Sequence, residues 1–558
     1  MEAPPRGFQA AWAAELGRCA RALASRPWLG LAIVFAIATW QRVTLPWLPL
    51  ADPDTWGYLN PALQHLAGEG LVQTHSRGMA YPLFLWSVLE IGKSFQNIAI
   101  VQHALGLLSG LVWVLAFRQW QRFLPGKYAN SSSLRWLASL CLAAYLCNPA
   151  TLAFESEIRP EGVFPFFSLS QIAITLIFLR ARLEGRPTTI LLLSAAAAIF
   201  FAIVCLSLKP SWGIAALIPF AVVGWGILFN QPKLAVTARC GLAVVAVGAF
   251  ALWNVLVPRL AQWKPEPNTG GHLAGTLFSI HANIISQEMR HRAERGKLDP
   301  EEEAFLARLD QVLIESRRDA KRSWMRALGH DADYILYRSN LLWKTPHVAA
   351  EDGMARNRYL RQAYLRAALA EPRLMASKVL WQLLLAYNDA SISLFNRSVQ
   401  WGALFGRTPP ALNIANFPKL PEKVDASVHE TLAQLAVTQP PKHLVARLSP
   451  SRLFFRTVVT WYLLLLVVAS GVLVALIPWL GRFHSMTALR PAVGALAVIW
   501  TCSIGSALTV AIIHCFAIGR YLELQSSLHA LLLASGTGLL MAVLLERFRK
   551  RTHGICGK

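Results

Sequence analysis

The stretch Asp52-Pro53-Asp54-Thr55-Trp56-Gly57-Tyr58 follows directly on the first long apolar run of the chain, residues 28–48. The polar region continues to Pro82 and adds three further residues whose side chains can bind ligands or take part in catalysis, His75, Arg77 and Tyr81. Ionisable side chains are costly at the edge of an apolar segment, and a bare connecting loop does not need them. We therefore interpret residues 49–95 as an active-site loop.

The composition is that of a membrane protein. Of 558 residues, 54% are hydrophobic and 20 are Trp, and apolar runs near the ~20 residues that cross a bilayer recur along the chain. The net charge of +23 comes with no nucleic-acid motif, so we expect membrane lipids and no nucleic acid as partners. The eight Cys include no CxxC pair, which indicates neither a disulfide framework nor a thiolate metal site.

Hydropathy predicts an all-α bundle of about ten membrane spans. They are residues 28–48, 96–117, 134–149, 161–180, 188–207, 212–229, 236–257, 455–480, 491–513 and 524–545. Basic residues concentrate in alternate loops and in the C-terminal tail, which predicts cytoplasmic N- and C-termini. We expect a bacterial inner (plasma) membrane protein with transmembrane modules at 1–257 and 455–558 and a periplasmic active site.

Residues 258–454 form the only sizeable soluble region and are predicted to be a mostly helical periplasmic domain. Asp299-Pro300 followed by three Glu is typical of a helix start, with Asp as N-cap and Pro in the first turn. Further helices are predicted at 354–370 and 373–395, and an extended loop at the Pro-rich 406–450. Lys378 and Gln382 argue against a membrane span within the second of these helices.

The other predicted outer loops also carry charges at the ends of spans. The second loop reads Glu155-Ser156-Glu157-Ile158-Arg159-Pro160-Glu161, Lys209 precedes Pro210 between two spans, and Arg520-Tyr521 opens the last span. Carboxylates and cations gathered on one side of a membrane favour a site that activates a nucleophile and holds a phosphate.

This set of motifs resembles the GT-C superfamily of membrane glycosyltransferases. Asp54-x-x-x-Tyr58 and Arg77-x-x-x-Tyr81-Pro82 are similar to its first-loop pattern, and Glu155 with Arg159-Pro160-Glu161 is similar to its second-loop signature. Leu206–Pro210 and Arg520-Tyr521 are similar to two motifs that occur later in the sequences of this superfamily. The resemblance is nearest to bacterial relatives of protein O-mannosyltransferases and of the lipid A aminoarabinose transferase, and it covers about 28–257 and 491–545.

The resemblance implies a sugar donor on polyprenyl phosphate and a glycan, lipid or protein acceptor. Asp54 would be the general base for an inverting transfer to a hydroxyl, with Asp52 as the alternative. The residues that would hold the donor phosphate are Lys209, Arg520, Tyr521 and Arg159. Those that would position donor or acceptor are Tyr58, Arg77, Tyr81, Glu155, Glu157 and Glu161. The leaving group would already be a phosphate monoester, so a metal is not chemically required; a divalent metal ion stays open, with His75, Asp52 and Glu157 as its candidate ligands.

Other readings of the same residues remain. Asp52-Pro53-Asp54 could form a turn that caps a helix. Arg159 could form an interhelical salt bridge, and Lys209 could anchor its helix at the membrane interface. Among functions, the alternatives are a lipid-linked oligosaccharide transferase or polymer ligase with a diphosphate donor, a membrane transporter, and a non-catalytic assembly protein. A transporter predicts an internal repeat and charges at mid-bilayer, and the sequence contains no evident repeat.

Overall fold

The computed structural model describes residues 26–74, 77–228, 235–264, 271–320, 328–349, 351–388, 401–412, 417–439, 450–477, 487–515, 521 and 524–555. Within these ranges the chain is all-α, as the sequence predicts. Its β structure there amounts to two isolated bridges, Leu50 with Glu157 and Val72 with Lys264.

The helices that carry the argument are numbered here in chain order. In the first half they are α1 (Pro27–Val43), α2 (Trp56–Leu66), α3 (Ala80–Gly92), α4 (Asn97–Gln121), α5 (Ser132–Leu146), α6 (Pro149–Ser156), α7 (Phe164–Leu183), α8 (Thr188–Leu208), α9 (Gly213–Leu228) and α10 (Val236–Ala251). In the second half they are α11 (Gly271–Ile280), α12 (Ala282–Glu294), α13 (Pro300–Ala320), α14 (Gly353–Ala370), α15 (Pro372–Asn388), α16 (Trp401–Ala411), α17 (Glu422–Val437), α18 (Pro450–Ala475), α19 (Arg490–Ile513) and α20 (Ser526–Ile555).

Seven described helices are long and apolar enough to cross a membrane, and α5 with α6 makes an eighth if that bent pair is one span. The two helices of the pair meet at 47°, where Pro149 begins α6. The two remaining predicted spans, 28–48 and 455–480, correspond to α1 and α18, whose described apolar parts Trp28–Val43 and Trp461–Ala475 are shorter. The chain is thus a multi-pass helical membrane protein, as its hydropathy predicts.

The first two predicted outer loops are joined directly to each other. The N–H of Leu50 donates to the carbonyl of Ser156 at 2.7 Å, and the N–H of Ile158 donates to the carbonyl of Leu50 at 2.7 Å. The bridge between Leu50 and Glu157 therefore places the segment before α2 alongside the segment after α6. This pairing brings together the candidate residues of two loops that lie about one hundred positions apart in the chain.

Residues from α11 to α14 enclose a hydrophobic core of their own. The N-cap prediction for α13 is confirmed, because Asp299 Oδ1 accepts hydrogen bonds from the N–H groups of Glu301 and Glu302. Apolar side chains at helical spacing fill this second core; examples are Phe278, Ile285, Phe305, Leu309, Leu313 and Leu360. The boundaries 258–454 of a single periplasmic domain stay a prediction.

The later helices of this region pack on the membrane bundle, and α15 joins the two cores, since its Leu374 and Met375 pack against the second core and its Ala386 and Tyr387 lie in the bundle core. Lys378 Nζ on α15 donates to the carbonyls of Ala511 and His514, and Tyr387 shares a hydrogen bond of 3.0 Å with Ser503. From the first contact to the second, the residue numbers rise along α15 and fall along α19. Helix α15 therefore runs antiparallel to the last turns of α19 and reaches into the bundle core.

The expectation of an extended loop at 406–450 is wrong at 406–411 and 422–437, which are helical, whereas residues 417–421 and 438–439 are not in a helix. Helix α16 ends at Ala411, and α17 occupies Glu422–Val437 with Val424, Val428 and Leu435 buried. These apolar positions recur at helical spacing. The polar residues Ser427 and Thr431 lie on the same buried face and weaken the hydrophobic periodicity. Thr408 on α16 contacts the candidate site, since its hydroxyl accepts a hydrogen bond of 3.1 Å from the N–H of Ala51.

Candidate active site

A side-chain turn holds both aspartates at the start of α2. Asp52 Oδ1 accepts a 3.0 Å hydrogen bond from the N–H of Asp54, and Thr55 Oγ1 accepts one of 2.9 Å from the N–H of Asp52. This pattern, in which a short polar side chain bonds the backbone two or three residues away, is the usual way to begin such a turn. Asp52 therefore forms a turn, but the helix-capping alternative is wrong, because α2 begins after Thr55 with no side-chain cap hydrogen bond.

Arg159 lies at the centre of the site. Its guanidinium nitrogens are 2.6 Å from Asp52 Oδ2, 3.1 Å from Glu157 Oε2 and 3.3 Å from Glu161 Oε1. Asp54 Oδ2 follows at 3.9 Å. The arginine is only 7% exposed, and a buried cation of this kind requires paired charges around it. Four carboxylates from two loops thus surround one guanidinium.

Lys209 joins the same group from a third loop. Its Nζ lies 2.6 Å from Glu161 Oε1, so that this oxygen is shared between Lys209 and Arg159. Both cations precede a proline, and both have extended backbones, with φ/ψ of −144°/105° for Lys209 and −152°/150° for Arg159. Proline disfavours the helical conformation of the residue before it. Lys209 therefore ends α8, and Arg159 continues the extended segment that follows α6; both side chains reach Glu161.

Arg77 closes the other side of Asp54. One guanidinium nitrogen lies 2.9 Å from Asp54 Oδ1, and another donates to the Tyr58 hydroxyl at 3.4 Å. The same guanidinium covers the Tyr58 ring at 4.9 Å from its centroid. Asp54 is the more exposed of the two aspartates, with 27% of its side chain accessible against 16% for Asp52.

Tyr58 and Tyr81 build the wall behind this group. Their rings meet edge to face at 5.4 Å, and burial raises the pKa of the Tyr58 hydroxyl well above its usual value. The Tyr81 hydroxyl donates to Gln102 Oε1 at 2.6 Å, while Gln102 Nε2 donates to the carbonyls of Glu155 and Glu157. Gln102 on α4 thereby connects α3 to the second loop and holds that loop in place.

Burial also shifts the titration of Glu157. It raises the pKa of this carboxyl to about 7, and the neighbouring Asp52 raises it further while Arg159 opposes the shift. Glu157 is 5% exposed, and removing a carboxyl from water disfavours its charged form. Glu157 therefore changes protonation near neutral pH.

Glu155 is not part of this group, although the sequence places it among the positioning residues. Its carboxylate accepts two hydrogen bonds from Arg42, at 2.6 and 2.8 Å, and lies 3.0 Å from His103 Nδ1. All three residues are buried. Glu155 therefore ties α6 to α1 and α4 beneath the site, and its contacts favour a structural role.

Of the predicted site residues, Tyr521, His75 and Arg520 remain. Tyr521 packs against His514, with ring centroids 4.8 Å apart. His75 and Arg520 fall outside the described residues. Of the metal candidates that are described, Asp52 and Glu157 both face Arg159, and no group of three or more potential metal-binding His, Cys, Asp or Glu occurs in the described part of the chain.

Sequence reasoning missed three residues that hold this region together, Arg42, Gln102 and Thr408. Arg42 carried a usable signal, because a charge near the end of an apolar helix needs a partner within the protein. Gln102 occupies a buried position of α4, and polar residues on a span are expected to face other helices. Thr408 gave no signal, since it lies about 350 residues from Ala51, which it contacts.

Of three comparisons with known proteins, the comparison with solved structures gives matches. No family model matches the chain, and no curated protein is similar to it in sequence. Two solved structures are similar, both of ArnT from Cupriavidus metallidurans. The one bound to undecaprenyl phosphate has 12% identity over 91% of this chain and 77% of that chain, with a TM-score of 0.30. The apo state has 14% identity over 93% and 78%, with a TM-score of 0.29. TM-scores this low carry no argument about the activity of this chain.

Proposed function

We propose that the chain is a membrane glycosyltransferase of GT-C type, which transfers a sugar from a polyprenyl-phosphate donor to an acceptor hydroxyl. One observation carries the proposal: Asp54, the most exposed described carboxylate of the group, stands between the guanidinium groups of Arg77 and Arg159. A base beside two cations suits a reaction in which a proton is taken up and a phosphate departs.

Asp54 takes the role of general base. The acceptor hydroxyl gives its proton to Asp54 while its oxygen attacks the anomeric carbon, and the bond from that carbon to the phosphate oxygen breaks. The electron pair leaves with polyprenyl phosphate, and a single displacement inverts the configuration at the anomeric carbon. Asp52 is less suited to this role because one of its oxygens is engaged in the turn and the other lies 2.6 Å from Arg159.

Lys209 and Arg159 stabilise the phosphate that leaves. Both are 7% exposed, and cations in a place with little water stabilise developing negative charge more strongly than they would in solution. Glu161 orients the pair, because its Oε1 lies 2.6 Å from Lys209 and 3.3 Å from Arg159. Because the leaving group is already a phosphate monoester, this scheme needs no metal ion.

The experiment measures release of free polyprenyl phosphate from labelled polyprenyl-phosphate sugars by purified protein, with and without a cell-envelope extract as acceptor source. Wild type is compared with Asp54→Asn, with Asp52→Asn and with the control Glu90→Gln, which removes an exposed acid paired with Lys93 in the same region. We expect Asp54→Asn to abolish release and Glu90→Gln to retain it. Loss with Asp52→Asn alone would move the base to Asp52.

The rival functions are separated by the same assay. Release from diphosphate-linked donors alone would favour an oligosaccharide transferase or polymer ligase. Full activity of Asp54→Asn in cells, together with no release in vitro, would favour the non-catalytic assembly protein. Donor sugars of hexose and pentose type are both included, because the described contacts do not select between them.

A further inference from the structure

A second concave site lies between α1, α4 and α5. It is a cavity of about 420 Å³, whose lining includes Trp28, Trp113 and Phe117 and the three arginines Arg118, Arg122 and Arg135. Its size is in the range of ordinary small-ligand sites. Neither the sequence motifs nor the proposed transferase reaction uses any of these residues.

The cavity lies at the end of the bundle that is opposite to the candidate active site. Helix α4 connects the two, with Gln102 bonded to the carbonyls of the second loop and Gln121 in the lining of the cavity. Nineteen residues of helix separate these positions by about 28 Å, close to the thickness of a bilayer core. The cavity is thus placed at the level of the lipid headgroups of the other leaflet.

The charge of the cavity is positive. Among the described residues, no Asp or Glu lines it and no ion pair involves its three arginines. Arg122 and Arg135 each donate to a neutral amide oxygen, Gln119 Oε1 and Asn130 Oδ1, at 3.4 Å. Guanidinium groups prefer bidentate contact with a phosphate to such long bonds with neutral acceptors.

The wall of the cavity is apolar and aromatic. Among the lining residues, Trp113 is fully buried, while Trp28 is 62% exposed at the start of α1. Leu31 and Val114 extend the apolar wall between the helices. Trp is enriched at the level of membrane headgroups, where one part of the ring is apolar and the other is wet. An amphipathic ligand with an anionic head matches both parts of this lining.

We propose that this cavity binds the phosphate headgroup of an anionic phospholipid from the leaflet at that end of the bundle, with the three arginines on the phosphate and the aromatic wall against the glycerol and upper acyl chains. A general preference for basic residues on one side of a membrane explains arginines in a loop. It does not explain a cavity whose described lining combines a buried Trp and three arginines without an acid. The proposal is independent of the proposed transferase function.

The test measures binding of phosphatidylglycerol and phosphatidylcholine to the purified full chain by native mass spectrometry and by lipid retention in nanodiscs. Arg118→Gln/Arg122→Gln/Arg135→Gln is compared with Arg186→Gln, an exposed arginine paired with Glu184 at the same end. We expect the triple variant to weaken phosphatidylglycerol binding on the order of 100-fold. The control should stay within about twofold of wild type, and phosphatidylcholine should bind weakly throughout. If the triple variant fails to fold, Arg135→Gln alone should weaken binding about fivefold.

A second variant separates a cavity from a diffuse field of charge. Ala138→Leu keeps every arginine but places a larger side chain in the lining, and it should also lose selective binding; Ala129→Leu replaces it if the melting temperature falls. Selective binding retained by a folded filling variant, or by the triple variant, would overturn the proposal. Displacement of the lipid by an equal concentration of free glycerol phosphate would also overturn it, because the proposed ligand is the whole lipid.

Discussion

Lys209 Nζ and Glu161 Oε1 lie 2.6 Å apart, although the two residues are 48 positions apart in the chain. Lys209 leaves α8 and Glu161 stands just before α7, so the contact joins the ends of two neighbouring helices. Arg159 shares the same carboxylate oxygen at 3.3 Å. Both cations assigned to the departing phosphate are therefore held by one buried acid. Variants of these residues should distinguish a role in stabilising the charge of the phosphate from a role in holding the structure.

Replacing Lys209 with Gln should slow turnover about 10²–10³-fold, which is the usual effect of losing one donor to a developing anion. Because the loss falls on the transition state, it should appear mainly in kcat and less in KM for the donor. Lys93→Gln, which removes an exposed lysine at the end of α3 in the first loop, is the control. A Lys209→Gln enzyme with wild-type kcat and only a lower melting temperature would make Lys209 a structural residue.

Replacing Glu155 with Gln should destabilise the protein by about 3–5 kcal/mol, because Arg42 would be left as a buried charge without its carboxylate. The matched control is Glu184→Gln, whose partners Arg186 and Arg180 are both accessible to solvent and whose loss should cost at most about 1 kcal/mol. The measurement is unfolding in detergent, followed by Trp fluorescence. Equal effects of the two substitutions would contradict the assignment of Glu155 to a buried structural pair.

Gly106 should not tolerate Ala. A Cβ at this position would lie 2.0 Å from Glu155 Oε1 and 2.3 Å from its Cδ, and Glu155 cannot retreat without breaking its two bonds with Arg42. Gly224 lies within α9 and has nothing within 4 Å of the same added atom, so Gly224→Ala should be neutral or stabilising by up to about 1 kcal/mol. Melting temperatures of the two variants decide the matter, and a neutral Gly106→Ala would show that α4 and α6 can separate freely.

Stability should depend on pH through Glu157. Its pKa is raised from 4.5 to about 7 in the folded protein, so the folded state binds this proton more tightly than the unfolded state does. The resulting stabilisation is fully present below about pH 4.5 and is lost as the pH rises through 7. Between pH 5 and pH 8 the wild type should lose stability relative to Glu157→Gln, whose amide does not titrate. A difference in melting temperature that stays constant over this range would rule out the shift.

Much of this fold follows from composition and pattern. The bilayer sets the length of an apolar run that can cross it, so each of the ten predicted spans has a helix at its position. The start of α13 was readable because capping involves only neighbouring residues, Asp299 with Glu301 and Glu302. The helix α17 was not, because its polar Ser427 and Thr431 are buried against the bundle, and burial depends on partners distant in the chain.

The candidate site divides in the same way. The sequence by itself determined which ionisable residues lie at the ends of spans. Charges are costly in a bilayer, so the charged residues that occur there are candidates for functional sites. Only the tertiary structure decided which of them meet. Glu155 and Glu157 are two residues apart, yet α6 ends at Ser156, so Glu155 faces Arg42 from within the helix while Glu157 faces Arg159 from the extended segment beyond it. The direction of a side chain depends on where its helix ends and on what packs against it, and neither is contained in the spacing of charges along the chain.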